Sequence, residues 1–183
     1  MALEKKLYLI AVTLPAALND KVHAIKQQIA RDYHSKHALR LPAHITLQKP
    51  FNFADESFLI NSLARFKINT PPSDLELEGF GAFAPRVIYV TIHKNKHLQN
   101  LYGALKNWLL TDTGFEPGWV SNGPFVPHVT VAYRDLSKAN FTAAWARYKT
   151  EGFSGNFLVN AIDLWRHNGK YWQSLHKFYP YQA

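Results

Sequence analysis

Cysteine is absent from this 183-residue chain. The sequence therefore excludes disulfide bonds, a cysteine nucleophile and a thiolate zinc site. Long apolar runs are also missing, since no stretch approaches the roughly 18 apolar residues that a membrane-spanning helix needs. Acidic residues are few, with 13 Asp and Glu against 21 Lys and Arg, which gives a formal net charge of +8. This balance favours a polyanionic partner such as nucleic acid, although the lysines are spread along the chain.

The N-terminal segment predicts a buried strand rather than a secretion signal. Its apolar run after Lys6 is only about eight residues long, and no small-x-small cleavage site follows. Apolar residues make up 47% of the chain, which is enough for one compact domain without metal or disulfide links. We therefore expect a cytoplasmic protein that is not bound to a membrane, with residues 1–183 forming one domain and the chain acting as a monomer.

Two short motifs carry most of the functional information. His44–Leu47 and His128–Val131 both read histidine, apolar, threonine, apolar, and a proline precedes each motif closely. On a strand, side chains alternate between faces, so each histidine shares a face with the threonine two positions on, Thr46 or Thr130. Two imidazoles can supply an acid and a base, and the hydroxyls can hold phosphate oxygens. The motifs therefore indicate metal-free phosphodiester chemistry.

The order of predicted elements repeats along the chain. Helix, histidine strand, helix and hairpin occur twice, and the two histidines lie 84 positions apart. From His44 to the first hairpin turn is 41 residues, and from His128 to the turn at Asn168-Gly169 is 40. Helices are predicted at about 18–33, 58–66, 98–109 and 135–150, and strands at about 7–13, 44–51, 75–83, 87–92, 157–166 and 170–178, with a further strand carrying His128.

This repetition predicts an α+β fold that is duplicated and bilobal, with approximate halves at 15–93 and 94–180. We expect two antiparallel-rich sheets around a central cleft, with the helices on the outside. A pseudo-two-fold axis would then set His44 and His128 facing each other across the cleft.

At these motifs the chain resembles the 2H phosphoesterase superfamily, which includes the 2′-5′ RNA ligase-like and RNA 2′,3′-cyclic phosphodiesterase proteins. The flanking segments 41–44 and 125–128 also look like the family, and the element order matches over nearly the whole chain. The resemblance implies a bilobal fold with both motifs lining a cleft. It also implies opening of a cyclic phosphate without metal or cofactor, with His44 and His128 in acid-base roles and Thr46 and Thr130 contacting phosphate.

The chemistry needs a water deprotonated on one side of phosphorus and a ribose oxygen protonated on the other. An imidazole with its ordinary pKa of about 6.5 can serve either role near neutral pH. With the resemblance as guide, we assign His128 as the base and His44 as the acid; the reverse assignment stays open, and ligation of a 2′-5′ linkage would exchange the roles.

Three further residues are candidates for the site. Counting in twos from His128 reaches Arg134, which would add positive charge for the phosphate or else lie in solvent at the strand end. In the RNA-ligase-like subgroup the corresponding arginine usually lies one position closer to the second histidine. Phe51 and Phe125 flank the motifs and are expected to stack on a base.

Other histidines have spacings that can mimic metal ligands, at 34 and 37 and at 93 and 97, but lysines lie among them and surface positions are expected. Two alternatives to the enzyme stay open: a non-catalytic RNA-binding module and an inactive phosphoesterase-like scaffold. The expected substrate is an RNA end or a nucleotide with a cyclic phosphate.

Overall fold

The computed structural model describes residues 4–120 and 123–181 and contains eight strands and four helices in those ranges. Within the same ranges, no helix has both the length and the apolar character needed to cross a membrane. In chain order the elements are β1 (Lys6–Thr13), α1 (Ala16–Tyr33), β2 (His44–Phe53), α2 (Glu56–Arg65), β3 (Ser73–Phe83), β4 (Val87–Ile92), α3 (Lys96–Asp112), β5 (His128–Ala132), α4 (Lys138–Tyr148), β6 (Ser154–Val159), β7 (Ile162–His167) and β8 (Trp172–Phe178).

Local sequence explains where most helices begin. Asp55, Asn95 and Ser137 each accept a hydrogen bond from a first-turn backbone N–H, at the starts of α2, α3 and α4. Such side chains satisfy donors that have no partner inside the helix. At the other end of α1, His34 adopts the left-handed conformation with φ 59°, which stops the helix.

The strands form one sheet, so the prediction of two separate sheets is wrong. The order is β6-β3-β4-β5-β2-β1-β7-β8, and every neighbouring pair is antiparallel. The sheet is continuous because β5 pairs with β2 in the middle, through the partners Ile45 and Val129. The α+β class is confirmed, whereas the duplication and the two lobes stay predictions.

Strand pairing also mixes the two predicted sequence halves. β3 lies between β4 and β6, and β1 lies between β2 and β7. Each side of the sheet therefore contains strands from before and after residue 93.

The predicted strand at 157–166 is two strands, β6 and β7. Only Asn160 and Ala161 join them, although five strands separate them in the sheet order. Because two residues span less than about 10 Å, the sheet must curve until these strand ends meet. Apolar residues are dense on both sides of the join, which is why the sequence pattern did not reveal the change of partner.

The apolar side of the motifs faces the core. Ile45, Leu47, Val129 and Val131 are buried in the main hydrophobic cluster, and α1 packs against β5 while α3 packs against β2. Since neighbouring side chains alternate, the two histidines and two threonines lie on the opposite face of the same strands.

Candidate active site

The two motifs lie side by side where β2 meets β5. Ile45 pairs with Val129, and continuing this antiparallel register by one residue sets His44 opposite Thr130 and Thr46 opposite His128. Directly opposed residues have Cβ atoms about 5 Å apart, and diagonal ones about 7–8 Å apart. The two histidines are such a diagonal pair, so a single phosphate fits between groups that share one face.

Each histidine is held by the same local bond. Nδ1 of His44 lies 2.8 Å from the carbonyl oxygen of Pro42, and Nδ1 of His128 lies 2.7 Å from that of Val126. A carbonyl only accepts, so Nδ1 carries the hydrogen and donates in both rings. This fixes the tautomer and leaves Nε2 of each imidazole to exchange a proton with a substrate.

The strands on either side add further polar groups to this face. Thr13 on β1 pairs with His44, while Thr91 on β4 pairs with His128 and Tyr89 with Thr130. The Thr13 hydroxyl is buried and has no hydrogen-bond partner among residues 4–120 and 123–181. Sequence reasoning missed these residues, because only the pairing register brings them beside the motifs.

Electrostatics distinguish the two histidines. Burial, together with the positive charges of Lys26 and of a protonated His128, lowers the pKa of His44 to about 4, against the raising effect of the Pro42 carbonyl. Burial also lowers the pKa of His128 below 6.5, with Lys49 adding to the effect and the Val126 carbonyl opposing it. In the free protein at neutral pH, the protonated fraction of His44 is therefore smaller than that of His128.

A cavity of about 300 Å³ opens on the His128 side of the site. Phe125 lies on its wall and stacks on Tyr102, with ring centroids 4.0 Å apart and the planes 3° from parallel. Phe83 lies edge-on to His128, at 5.1 Å between centroids. The remaining walls come from His128 itself, Thr46, Leu47, Gln48, Lys49, Pro124 and Val126.

Phe51 does not lie in this cavity, so its predicted stacking role is wrong. Its side chain is 6% exposed and packs against Phe115 and Tyr8, with centroids at 4.7 and 5.9 Å. The physical reason is strand pairing: Phe51 lies opposite Tyr8 of β1, which is fully buried, after register shifts that interrupt the alternation of β2 around Lys49.

Arg134 does not line the cavity beside His128, and its contact with phosphate stays a prediction. β5 ends at Ala132, and Arg134 has φ 57°, so the alternation counted from His128 stops before it. Its guanidinium lies 5.5 Å from the centre of the Tyr133 ring at an exposed turn. The adjacent Asp135 accepts bonds from the backbone of Lys36 and His37, which ties this turn to the end of α1.

His93, one of the histidines outside the two motifs, is paired with carboxylates. His93 is exposed and lies 3.5 Å from a Glu76 carboxylate oxygen and 2.5 Å from one of Glu78. In the part of the chain that the structure describes, no three His, Cys, Asp or Glu side chains form a group that could hold a metal ion.

Lys26 is a further site residue that sequence reasoning missed. It lies on α1, is only 2% exposed, and donates from Nζ to the carbonyl of Leu41 at 3.0 Å. The sequence does indicate that Lys26 is buried, because it falls four positions after Val22 and three before Ile29, on the apolar stripe of the helix.

Fold and site together define a protein with two histidine motifs on adjacent central strands, the arrangement expected of a two-histidine phosphoesterase. Residues 14–170 match the sequence profile of the 2′-5′ RNA ligase superfamily, and the chain belongs to that superfamily. This confirms the family resemblance and supports a phosphodiesterase activity.

Individual relatives agree with this assignment. The Geobacillus kaustophilus protein GK0864, whose name classes it with the phosphoesterases, is 29% identical over 161 residues, or 86% of each chain. Among solved structures, Escherichia coli LigT complexed with 3′-AMP has a TM-score of 0.68 at 20% identity, covering 96% of this chain and 98% of LigT. The Thermus thermophilus protein TT0787 has a TM-score of 0.64 at 20% identity, covering 95% of this chain and 97% of that protein. These two structures are similar to this chain in fold.

Proposed function

We propose that this protein is a metal-independent phosphodiesterase that opens a 2′,3′-cyclic phosphate at an RNA or nucleotide end with water as the nucleophile, or acts reversibly on a 2′-5′ linkage, which forms when a 5′-hydroxyl takes the place of that water. The observation that carries the proposal is the pair of imidazoles on one face, each with Nδ1 bound to a carbonyl two residues earlier. Such a pair can remove one proton and deliver another across a single phosphate.

The cavity supports an orientation for the substrate. It adjoins His128 and Thr46, and its Phe125 and Tyr102 rings offer a flat surface for a base, so the nucleoside lies on that side. The nucleotide complexes of LigT, with 3′-AMP, ATP and NADP⁺, support a nucleotide as the ligand class. Lys49 at the cavity adds positive charge for a neighbouring phosphate.

This orientation assigns the proton transfers. His44 Nε2 takes a proton from water as the water oxygen bonds to phosphorus, and His128 Nε2 gives its proton to the ribose oxygen as the bond from phosphorus to that oxygen breaks. The stronger lowering of the pKa of His44 favours the same roles, because a neutral imidazole is the one able to act as base. These roles are the reverse of our sequence-based assignment, which had no structural ground for choosing between the two.

The central test is turnover of a panel of 2′,3′-cyclic phosphates, with products identified by phosphorus NMR. His44→Ala and His128→Ala should each lower kcat by roughly 10²–10⁴. The double variant should lose less than the product of the two, since both groups serve one transition state. His93→Ala, outside the motifs, is the matched control. Near-full activity in both motif variants would refute the catalytic proposal and leave a binding module or an inactive scaffold.

A second substrate tests the separate roles. In a cyclic phosphate whose leaving oxygen is replaced by sulfur, the thiolate departs without needing a proton. Turnover of this substrate should be restored in His128→Ala and stay low in His44→Ala. The opposite pattern would return His128 to the role of base.

The threonines have their own test. Thr46→Val and Thr130→Val keep the side-chain shape and strand preference while removing the hydroxyl. Both variants should stay folded and raise KM for the cyclic phosphate, whereas unchanged kcat and KM would remove the threonines from the phosphate site.

A further inference from the structure

The segments that precede the two catalytic histidines are held by matched but unequal donors. Lys26 Nζ on α1 donates to the carbonyl of Leu41, three residues before His44, at 3.0 Å. Gln99 Nε2 on α3 donates to the carbonyl of Phe125, three residues before His128, at 3.3 Å. The position is equivalent in both cases, yet one donor is a buried cation and the other is an exposed, neutral amide.

The segment before His44 is fixed from several sides. Besides the Lys26 bond, the Ala43 N–H donates to Asn19 Oδ1 at 2.7 Å, and the Leu14 N–H donates to the Ala43 carbonyl at 3.0 Å. Between these bonded residues lies Pro42, whose carbonyl orients the His44 ring. Lys26 is therefore part of the support that sets the position of His44, and it sits too deep for solvent to screen its charge well.

Few charges act on the two imidazoles. In the described ranges, the charges that act most on His44 are those of Lys26 from α1 and of a protonated His128 from β5. The buried Asp163 carboxylate on β7 accepts from the N–H of Thr13, the β1 partner of His44, at 3.2 Å, and Lys177 is paired with it at 3.2 Å. The titratable groups facing His128 are Lys49 from β2 and Tyr89 from β4, in addition to His44 itself. Lys49 is exposed, so its effect on His128 is screened by water and salt. Among these charges, the strongest difference between the two sides is thus the buried ammonium group of Lys26, which adds to the larger effect of burial on His44.

We infer that Lys26 is a positioning residue that divides the acid and base roles: its buried ammonium group holds the segment before His44 and disfavours a second positive charge there. His44 therefore stays unprotonated and serves as the base, while the proton needed for the leaving group resides on His128. This inference rests on the proposed function for its catalytic meaning, but its electrostatic part applies to the free protein. The burial of Lys26 leaves its ammonium group charged below its own lowered pKa of about 8, which covers the range in which histidines titrate.

The test is an NMR titration of the histidine rings in the free protein, with the His44 and His128 signals assigned from their Gln variants. Lys26→Met keeps the length of the side chain and removes charge and donor together, whereas Lys26→Gln removes the charge and keeps a donor. We expect the His44 titration to move upward by at least about half a pH unit in both variants. Lys21→Met, on the exposed side of the same helix, should leave it unchanged.

Kinetics supply the second measurement. In Lys26→Met the acidic limb of the kcat/KM profile should move to higher pH, while the limb governed by His128 stays in place. An unchanged His44 titration in both Lys26 variants would overturn the inference, as would a shift in Lys26→Met alone, since the charge would then not be responsible. Because the NMR titration needs no substrate, a protein that turns over no cyclic phosphate would refute the proposed function without touching this result.

Discussion

Replacing Lys26 by methionine should stabilise the protein, because keeping the buried ammonium group charged lowers the free energy of unfolding. Burial lowers the pKa of Lys26 from 10.5 to about 8. At about 1.4 kcal/mol for each pH unit, keeping this group charged in the folded state costs on the order of 3 kcal/mol. Methionine has a similar length and no charge, but it leaves the Leu41 carbonyl without its donor, which offsets about 1–2 kcal/mol. The free energy of unfolding at neutral pH should therefore rise by about 1–2 kcal/mol.

The pH dependence gives this prediction its signature. The pKa of Lys26 is lower in the folded state than in the unfolded state, so between pH 8 and 10.5 the unfolded chain binds more protons. Stability contributed by this group then rises with pH across that window. The wild type has this rise and Lys26→Met lacks it, so the advantage of the variant is full below pH 8 and is lost by about pH 10.5.

Urea unfolding followed by tryptophan fluorescence, at a series of pH values from about 6 to 11, measures the difference directly. Taking wild type minus variant cancels the tyrosines, which also titrate in this range. Lys21→Met is the control and should show a small difference that does not depend on pH. If Lys26→Met is no more stable than wild type at pH 7, or if the difference is flat with pH, the assignment of a buried charge at Lys26 is wrong.

Three further predictions concern activity. The kcat/KM of the wild type should have an acidic optimum. It rises as His44 loses its proton near pH 4 and falls as His128 loses its proton at a pKa below the ordinary 6.5. An optimum above pH 8 would contradict the acid-base pair. Chelation with EDTA should leave turnover unchanged, because imidazoles and hydroxyls supply every proposed contact; activity lost on chelation and restored by a divalent ion would indicate a metallophosphoesterase. Gly81→Ala should lower kcat/KM by roughly 10–10² while the protein stays folded, because a Cβ there would lie 2.7 Å from the Tyr89 hydroxyl and displace a ring that touches His128. That loss should disappear when Gly81→Ala is made in a Tyr89→Ala background, and an equal loss in both backgrounds would show that Tyr89 is not the link.

Local patterns in the sequence predict the local parts of this structure well. The histidine motifs lie on strands, the turn at Asn168-Gly169 forms, and the N-terminal segment is a strand, because each depends on alternation or turn chemistry within a few residues. Burial of Phe51 depends instead on its pairing with Tyr8, because register shifts and the exposed Lys49 interrupt the alternation of β2 before it.

The remaining features depend on pairing between distant segments, which a local pattern does not encode. The single sheet requires β5 to lie beside β2, and nothing near residue 45 specifies Val129 as its partner. The same register brings Thr13, Thr91 and Tyr89 to the motifs. The alternation argument for Arg134 fails for the converse reason: counting in twos assumes that the strand continues, whereas β5 ends at Ala132 and Arg134 has a left-handed φ of 57°.

The central position of β5 has a consequence for how the protein is made. The first 93 residues contain β1 paired with β2 and β3 paired with β4, and such isolated two-stranded ribbons are marginal in water. The strand that carries His128 is inserted between them, and β6 and β7 then add to the outer flank of each ribbon. During synthesis on the ribosome the sheet therefore stays open until the second histidine motif has emerged. A chain truncated before that point has no continuous sheet and only one of the two histidine motifs, so the same strand joins the sheet and completes the site.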